Sequence, residues 1–218
     1  IVQDGLRRMF VEQEPVFYYL TVMNENYQHP AMPEDAEHGI LKGMYLLQTL
    51  GASEGAKVRL IGAGTILREV EAAAEILHEQ HDLTVEVWSV TSFTELAREA
   101  QDCERWNLLN ASELPRRSYV AECLVGEAPV VAASDYVKAI PEQLRGCIEA
   151  PYHVLGTDGF GRSDTREQLR NFFEVDRRFI ALAALNKLAQ SQVISSQTVV
   201  AAQAKLGISP DKLNPRLS

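Results

Sequence analysis

The sequence has few cysteines, and they form neither a metal-site pattern nor a disulfide framework. Cys103, Cys123 and Cys147 lie far apart, include no CxxC pair and are odd in number. This pattern is typical of thiols in a reducing compartment rather than of a disulfide-rich secreted domain. We therefore expect free thiols and a cytoplasmic protein.

Long apolar runs and an excess of positive charge are also missing. No apolar run approaches the roughly 20 residues that span a bilayer, and the first residues, IVQDGLRRMF, are polar and amphipathic. The chain has 21 Lys and Arg against 30 Asp and Glu, a net charge of −9. Because attraction to phosphates requires a positive face, this balance disfavours nucleic acid and anionic membranes as partners.

The composition that remains is that of an ordinary globular protein. Hydrophobic residues make up 46% and charged residues 23% of the 218 residues. A chain of this length buries enough surface to form a core without disulfides or metal. It begins without Met, which we interpret as an indication of an excised part of a longer protein.

The N-terminal residues predict the end of another domain. Apolar residues at helical spacing over 2–10 indicate a helix, and the β-prone run 16–22 indicates a buried strand. The polar segment 24–33, with two prolines, is typical of a linker. Since one helix and one strand cannot bury themselves, we expect residues 1–33 to close a preceding domain and residues 34–218 to form a C-terminal α/β domain.

The C-terminal part alternates short strands with amphipathic helices. Strands are predicted at 44–50, 58–61, 84–90, 119–125, 129–133 and 152–155, with a turn around 53–55. Helices are predicted from residue 34, over 66–77, from Ser92 to Cys103 with an S-x-x-E capping box, from Asp164 with a second box ending at Glu167, and over 176–190 and 196–206 before Gly207. This alternation predicts a three-layer α/β/α domain around a mostly parallel sheet of about five strands.

Two weaker motifs have a structural interpretation. Gly62-Ala63-Gly64-Thr65 follows a strand, but Leu67 stands where a dinucleotide loop needs its third glycine, so we predict a tight turn without a nicotinamide site. His78 and His81 are spaced i, i+3, not i, i+4 as in zinc proteases, and are interpreted as a helix end. The residues support no acid–base pair, nucleophile elbow or Walker loop.

The candidate site is the turn at 157–166, which leaves the last predicted strand and enters a helix. Open α/β sheets bind ligands at this edge, and backbone N–H groups with nearby arginines suit an anion. The favoured interpretation is a structural turn whose arginines pair with acids; the alternative is an anion- or partner-binding module. The candidate residues are Asp158, Gly159, Gly161, Arg162, Ser163, Asp164 and Arg166.

Four segments resemble one family closely. They are TDGFGRSDTR (157–166), TSFTELAREAQDCERWN (91–107), NENYQHPAMP (24–33) and NPRL (214–217). In this order they are similar to the homodimeric bacterial pyruvate dehydrogenase, acetyl-transferring, thiamine-dependent component. The segment GAGTILREVEAAAEIL (62–77) more loosely resembles the C-terminal domain of the transketolase superfamily.

The resemblance implies a full protein with three α/β domains, which binds thiamine diphosphate and Mg²⁺, decarboxylates pyruvate and acetylates a lipoyl group. The implied partners are the missing N-terminal domains, a second subunit of a homodimer and a lipoyl-bearing acetyltransferase. The family's cofactor motif begins GDG, and Thr157-Asp158-Gly159 departs from it at the first position. We therefore assign no catalytic, cofactor-binding or metal-ligating residue to this chain and expect no bound cofactor. A free-standing Rossmann-like protein remains a further alternative.

Overall fold

The computed structural model describes residues 1–23, 26–52 and 55–218. Asn24 and Glu25 of the predicted linker, and Ser53 and Glu54 of the predicted turn, lie outside these residues. Strands in the described part are β1 (Met44–Leu50), β2 (Lys57–Ala63), β3 (Thr84–Val90), β4 (Val130–Ala133) and β5 (Tyr152–Leu155). Helices are α1 (Val2–Leu6), α2 (Ala36–Lys42), α3 (Leu67–His81), α4 (Phe93–Leu109), α5 (Tyr119–Cys123), α6 (Ala139–Glu142), α7 (Arg166–Phe172), α8 (Arg177–Gln190) and α9 (Ser196–Lys205). A π-helical turn, Arg7–Val11, continues α1.

The five strands form one sheet in the order β1-β3-β2-β4-β5. β3, β2, β4 and β5 pair in parallel, and β1 pairs with β3 antiparallel at one edge. The predicted fold class, a mostly parallel five-stranded sheet, is confirmed. β2 and β4 are the strands at which the order reverses, so their loops open a crevice at the carboxyl edge of the sheet.

Both faces of the sheet are covered, because alternate side chains of the central strands point to opposite sides. Leu60, Val87 and Val131 pack with α3, α8 and α9 on one face. Ile61 and Ala132 pack with α4 and α5 on the other. These strands are almost completely buried, as their nearly continuous apolar sequences predict.

Several helix ends follow the local rules of capping. The Ser92 side chain accepts a hydrogen bond from the Glu95 N–H at 3.0 Å and begins α4, which confirms the predicted box. Asp176 accepts from the N–H groups of Arg178 and Phe179 and begins α8. Gly207 follows α9 with φ +68°, a conformation that costs glycine little.

The strand predicted at 16–22 is wrong for this structure: these residues form neither strand nor helix. A strand needs a neighbour that accepts and donates its backbone hydrogen bonds. The described chain provides none beside this segment, and Phe17 and Tyr19 are 87% and 85% exposed. The helix predicted before it is present as α1 and the π-helical turn.

The strand predicted at 119–125 is also wrong, because Tyr119–Cys123 is helical. The Glu99 carboxylate accepts a hydrogen bond from the Tyr119 N–H at 3.0 Å and so satisfies the first turn. Val120 and Leu124, four residues apart, are both buried against the sheet. A long-range cap and i, i+4 burial therefore outweigh the β propensity of these residues.

Candidate functional site

Loops from β2, β4 and β5 meet at the carboxyl edge of the sheet. Gly62 is required there, because a Cβ atom on it would lie 2.7 Å from the Val70 side chain of α3. Gly64 has φ +56°, a left-handed backbone conformation that glycine adopts at little cost, so this position also favours glycine. The Gly62–Thr65 motif is thus a tight strand-to-helix turn, and its sequence is explained by packing.

The β4 and β5 loops are tied together by hydrogen bonds. The Thr157 N–H donates to the Tyr136 carbonyl at 2.9 Å, and the Thr157 hydroxyl donates to the Asp135 carbonyl at 2.6 Å. A Cβ atom on Gly156 would lie 2.7 Å from the Tyr136 carbonyl oxygen. The start of the candidate turn is therefore fixed by close backbone contact between the two loops.

The candidate turn itself packs against the C-terminal residues of the chain. Gly159 has φ +122°, and a Cβ atom on it would lie 2.7 Å from the Pro215 carbonyl oxygen. The Arg162 guanidinium lies 4.0 Å from the centre of the Phe172 ring. Gly159 and Arg162 therefore contribute to the packing of the turn.

Four of the seven candidate residues share one crevice. Gly159, Gly161, Arg162 and Arg166 line a cavity of about 360 Å³ together with Arg170 and Asp135. Asp158, Ser163 and Asp164 do not line it. The structure thus brings the arginines together and leaves the two acidic candidates outside.

The helix after the turn begins one residue later than predicted. Thr165, not Asp164, is the cap of α7: its hydroxyl accepts from the Gln168 N–H at 3.3 Å. Asp164 instead accepts from the Thr165 N–H at 2.7 Å. The residues Thr165 to Gln168 have the same capping spacing as the predicted pair, which explains the shift. Leu169, Phe172 and Phe173, which were expected to be buried, are half-buried.

A buried carboxylate that the sequence analysis missed holds the neighbouring helices together. Glu69 in α3 is 5% exposed and accepts from Arg170 at 3.2 Å, from the Arg177 side chain at 2.9 Å and from the Arg177 N–H at 3.0 Å. Burial would raise the pKa of Glu69, but the hydrogen bonds from Arg177 outweigh it and hold the pKa below its usual value. Its position on the apolar stripe of α3, between Ile66 and Val70, is the signal in the sequence.

Four arginines near this edge are already neutralised or stacked. Arg170 and Arg177 bind Glu69, Arg178 binds Asp176 at 2.7 Å, and Arg162 lies on Phe172. Within the described ranges, no group of three or more His, Cys, Asp or Glu side chains is placed to hold a metal ion. His78 and His81 lie in the last turn of α3, as predicted. Arg162 of the turn was expected to pair with an acid; the structure places it on the Phe172 ring instead.

The cysteines are free thiols, as expected, and are held in their protonated form. Burial and the neighbouring Glu99 carboxylate raise the pKa of Cys103 to about 11. Burial also raises the pKa of Cys123 and of Cys147. Because the thiolate is the nucleophile, these side chains are unsuited to covalent catalysis at neutral pH.

Comparison with known proteins agrees with this description. The family model described as the transketolase-like TK C-terminal domain matches residues 43–176, more than half of the chain. The chain belongs to this family. A second model, the pyruvate dehydrogenase E1 component middle domain, matches residues 1–30.

Relatives of known name match the chain from end to end. The pyruvate dehydrogenase E1 component of Escherichia coli K12 is 54% identical over 100% of this chain, and that of Pseudomonas aeruginosa is 52% identical over 99%. The protein of the same name from Haemophilus influenzae is 49% identical over 99% of the chain. The chain spans about a quarter of the length of these relatives. The resemblance seen in the sequence is thereby confirmed.

A solved structure supports the fold alone. A transketolase from Pichia stipitis superposes with a TM-score of 0.50 at 15% identity, covering 71% of this chain and 19% of its own. The transketolase-like C-terminal fold predicted by the resemblance is confirmed. In the described part of the chain, none of the helices is both long and apolar enough to cross a membrane.

Proposed function

We propose that this chain is the architectural C-terminal part of a thiamine-dependent pyruvate dehydrogenase E1 component. The whole protein would decarboxylate pyruvate and transfer the acetyl group to a lipoyl group. The observation that carries the proposal is the 54% identity to a pyruvate dehydrogenase E1 component over the entire chain. The chain covers 25% of the length of that relative, so it would form only part of the enzyme.

The domain division is part of the proposal. Residues 1–33 would be the end of the preceding, pyrimidine-binding domain with its linker, and residues 34–218 the C-terminal α/β domain. The match of residues 1–30 to a middle-domain family and of residues 43–176 to the C-terminal family supports a boundary between them. The start of α2 at Ala36 agrees with this boundary.

The residues present do not fit a thiamine diphosphate–Mg²⁺ site. Mg²⁺ requires a nearly octahedral set of oxygen ligands, and no acidic cluster of that kind is found among the described residues. Gly159, in the segment nearest to a GDG motif, is packed on the Pro215 carbonyl. Asn186 follows Asp158 at a sequence separation comparable to that of the motif's asparagines. It is exposed on α8, whose buried face is apolar, so it does not point into a buried metal site. The cofactor and Mg²⁺ would belong to the other domains.

The contribution of this chain would be to shape and support the enzyme. Its partners would be the N-terminal domains of the same protein, a second subunit in a homodimer, and the lipoyl-bearing acetyltransferase of the complex. Nucleic acid and membranes would not be partners, since the net charge is −9. Three free cysteines suit a cytoplasmic location.

An activity assay tests the proposal. We expect no decarboxylation of pyruvate above background when the chain is supplied with thiamine diphosphate and Mg²⁺, and no shift of its melting temperature by the cofactor pair. The matched control is a full-length E1 component under the same conditions, which should turn over. Cofactor-dependent turnover by the 218-residue chain would refute the architectural assignment.

A further inference from the structure

Residues 21–23 and 27–30, hereafter the linker segment, form a stretch that runs along the carboxyl edge of the sheet. A cleft of about 890 Å³ separates it from the start of α3. One wall consists of residues 21–23 and 27–30, and the other includes Gly64, Thr65, Arg68 and the exposed side of α3. Residues expected to connect two domains therefore also line a surface of the second one.

Contacts among the described residues join this segment to the body of the domain. The Arg68 guanidinium lies 4.5 Å from the centre of the Tyr27 ring. The Tyr136 hydroxyl donates to the Thr21 hydroxyl oxygen at 3.4 Å. Met23 lines the crevice formed by the β2, β4 and β5 loops. The contacts are spread over both sides of the point where the strand order reverses.

This crevice is the place where open α/β sheets bind small ligands. Here Met23 of the chain's own linker forms part of its wall, beside Thr65, Asp135 and Gly159. We infer that this crevice and the larger cleft beside it together form the docking site of residues 21–23 and 27–30, with Arg68 and Tyr136 as the residues that position the segment.

In the larger cleft, charge disfavours a small anion as the occupant. Arg170 and Arg177, which line the larger cleft, are already bound to Glu69. Glu71 and Glu75 add negative charge to the same cleft. The cleft thus presents three arginines, with Arg68, and three glutamates, so no net positive potential favours an anion. An amphipathic segment with an aromatic ring for Arg68 fits the lining better.

Docking would fix how the preceding domain sits on this one. That consequence rests on the proposed assignment of residues 1–33 to the preceding domain, whereas the docking itself does not. A linker tied at Thr21 and Tyr27 leaves few residues free between the contact and the start of α2 at Ala36. The orientation of the two domains would therefore be set by side-chain contacts as well as by chain connection.

Hydroxyl-radical footprinting of the 218-residue chain tests the inference, because it reports the exposure of individual side chains. Tyr27 is half-buried and Tyr19 is 85% exposed, so Tyr27 should be oxidised more slowly than Tyr19. In Arg68→Leu the oxidation of Tyr27 should rise towards that of Tyr19. Loss of an exposed cation–π contact corresponds to a fall of about two- to fivefold in the ratio of docked to undocked linker.

Arg98→Leu is the matched control, since Arg98 is an exposed arginine on α4 and pairs with Glu95. It should leave the oxidation of Tyr27 unchanged. Tyr136→Phe, which removes the bond to Thr21, should raise the oxidation of Met23 relative to Met32. Equal oxidation of Tyr27 and Tyr19 in the unaltered chain, or no response to Arg68→Leu, would overturn the inference. Neither result depends on pyruvate turnover, which tests the proposed function separately.

Discussion

The N-terminal arm (residues 1–33) and the α/β body (residues 34–218) use similar apolar residues to opposite effect. In the arm, Phe17, Tyr19 and Val22 are more than four-fifths exposed. In the body, Leu60 and Val87 are completely buried. Both segments have β-prone sequences, so composition alone does not distinguish them.

The difference lies in what surrounds each segment. Strands β2, β3 and β4 of the body have neighbours on both edges, and the sheet has helices on both faces. The arm is held by polar contacts: Tyr18 donates to Asp4 at 2.6 Å and accepts from Arg8, which also binds Glu14. An apolar sequence becomes a strand only where partners exist for its backbone and its side chains.

Truncating a large apolar side chain should produce the largest contrast between the two regions. Leu185→Ala in α8 removes a fully buried side chain from the core, and we expect a loss of about 3 kcal/mol in the free energy of unfolding. Phe17→Ala in the arm, 87% exposed, should change it by less than about 0.5 kcal/mol. Urea denaturation followed by circular dichroism measures both. Comparable losses would mean that the arm belongs to the cooperative core.

Removing one carboxylate in each region should give a smaller contrast. Glu69→Gln leaves Arg170 and Arg177 without their anion. We expect the free energy of unfolding to fall by about 2 kcal/mol at neutral pH. The loss is smaller than for a fully buried ion pair because Arg177 is partly exposed to solvent. Asp4→Asn is the control, because the bonds from Tyr18 and Arg7 also lower the pKa of Asp4. We expect it to leave the urea midpoint of the body unchanged, because Arg7 and Tyr18 also lie in the arm.

The stability difference between the unaltered chain and Glu69→Gln should also depend on pH. A carboxylate whose pKa is lowered on folding stabilises the fold above its unfolded pKa, and the stability is lost as pH falls through the folded pKa. The pKa of Glu69 is lowered, so the gap between the unaltered chain and Glu69→Gln should be full at pH 7 and should close below about pH 4.5. A gap that persists unchanged at pH 3 would contradict this assignment.

Local sequence signals predicted the body well and the arm poorly. The correct predictions of β1, β2, β3, β4 and β5, and of the cap at Ser92, all used patterns of residues adjacent in sequence. The two wrong strands depend on distant ones: 16–22 finds no partner, and 119–123 is helical because of Glu99. Long-range contacts therefore explain both errors.

The candidate site shows the same limit. The sequence located the 157–166 turn at the carboxyl edge, but not which residues line the crevice or where the cap falls. Glu69 and its arginines lie about a hundred residues apart along the chain, so spacing could not pair them. The contact of Gly159 with Pro215 is likewise invisible to a local pattern.

Two tyrosine hydroxyls give the smallest of these contrasts, because each variant removes only the hydrogen bonds of one hydroxyl. Tyr152 in β5 is 5% exposed and donates to the Pro141 carbonyl at 2.9 Å. Tyr18 in the arm donates to Asp4 at 2.6 Å. Tyr152→Phe should lower the free energy of unfolding by about 1 kcal/mol, because it removes a buried bond without removing the ring. Tyr18→Phe should leave global unfolding unchanged, because the contacts that it loosens lie within the arm. A stability loss in Tyr18→Phe equal to that in Tyr152→Phe, measured by urea denaturation, would show that the arm and the body unfold as one unit.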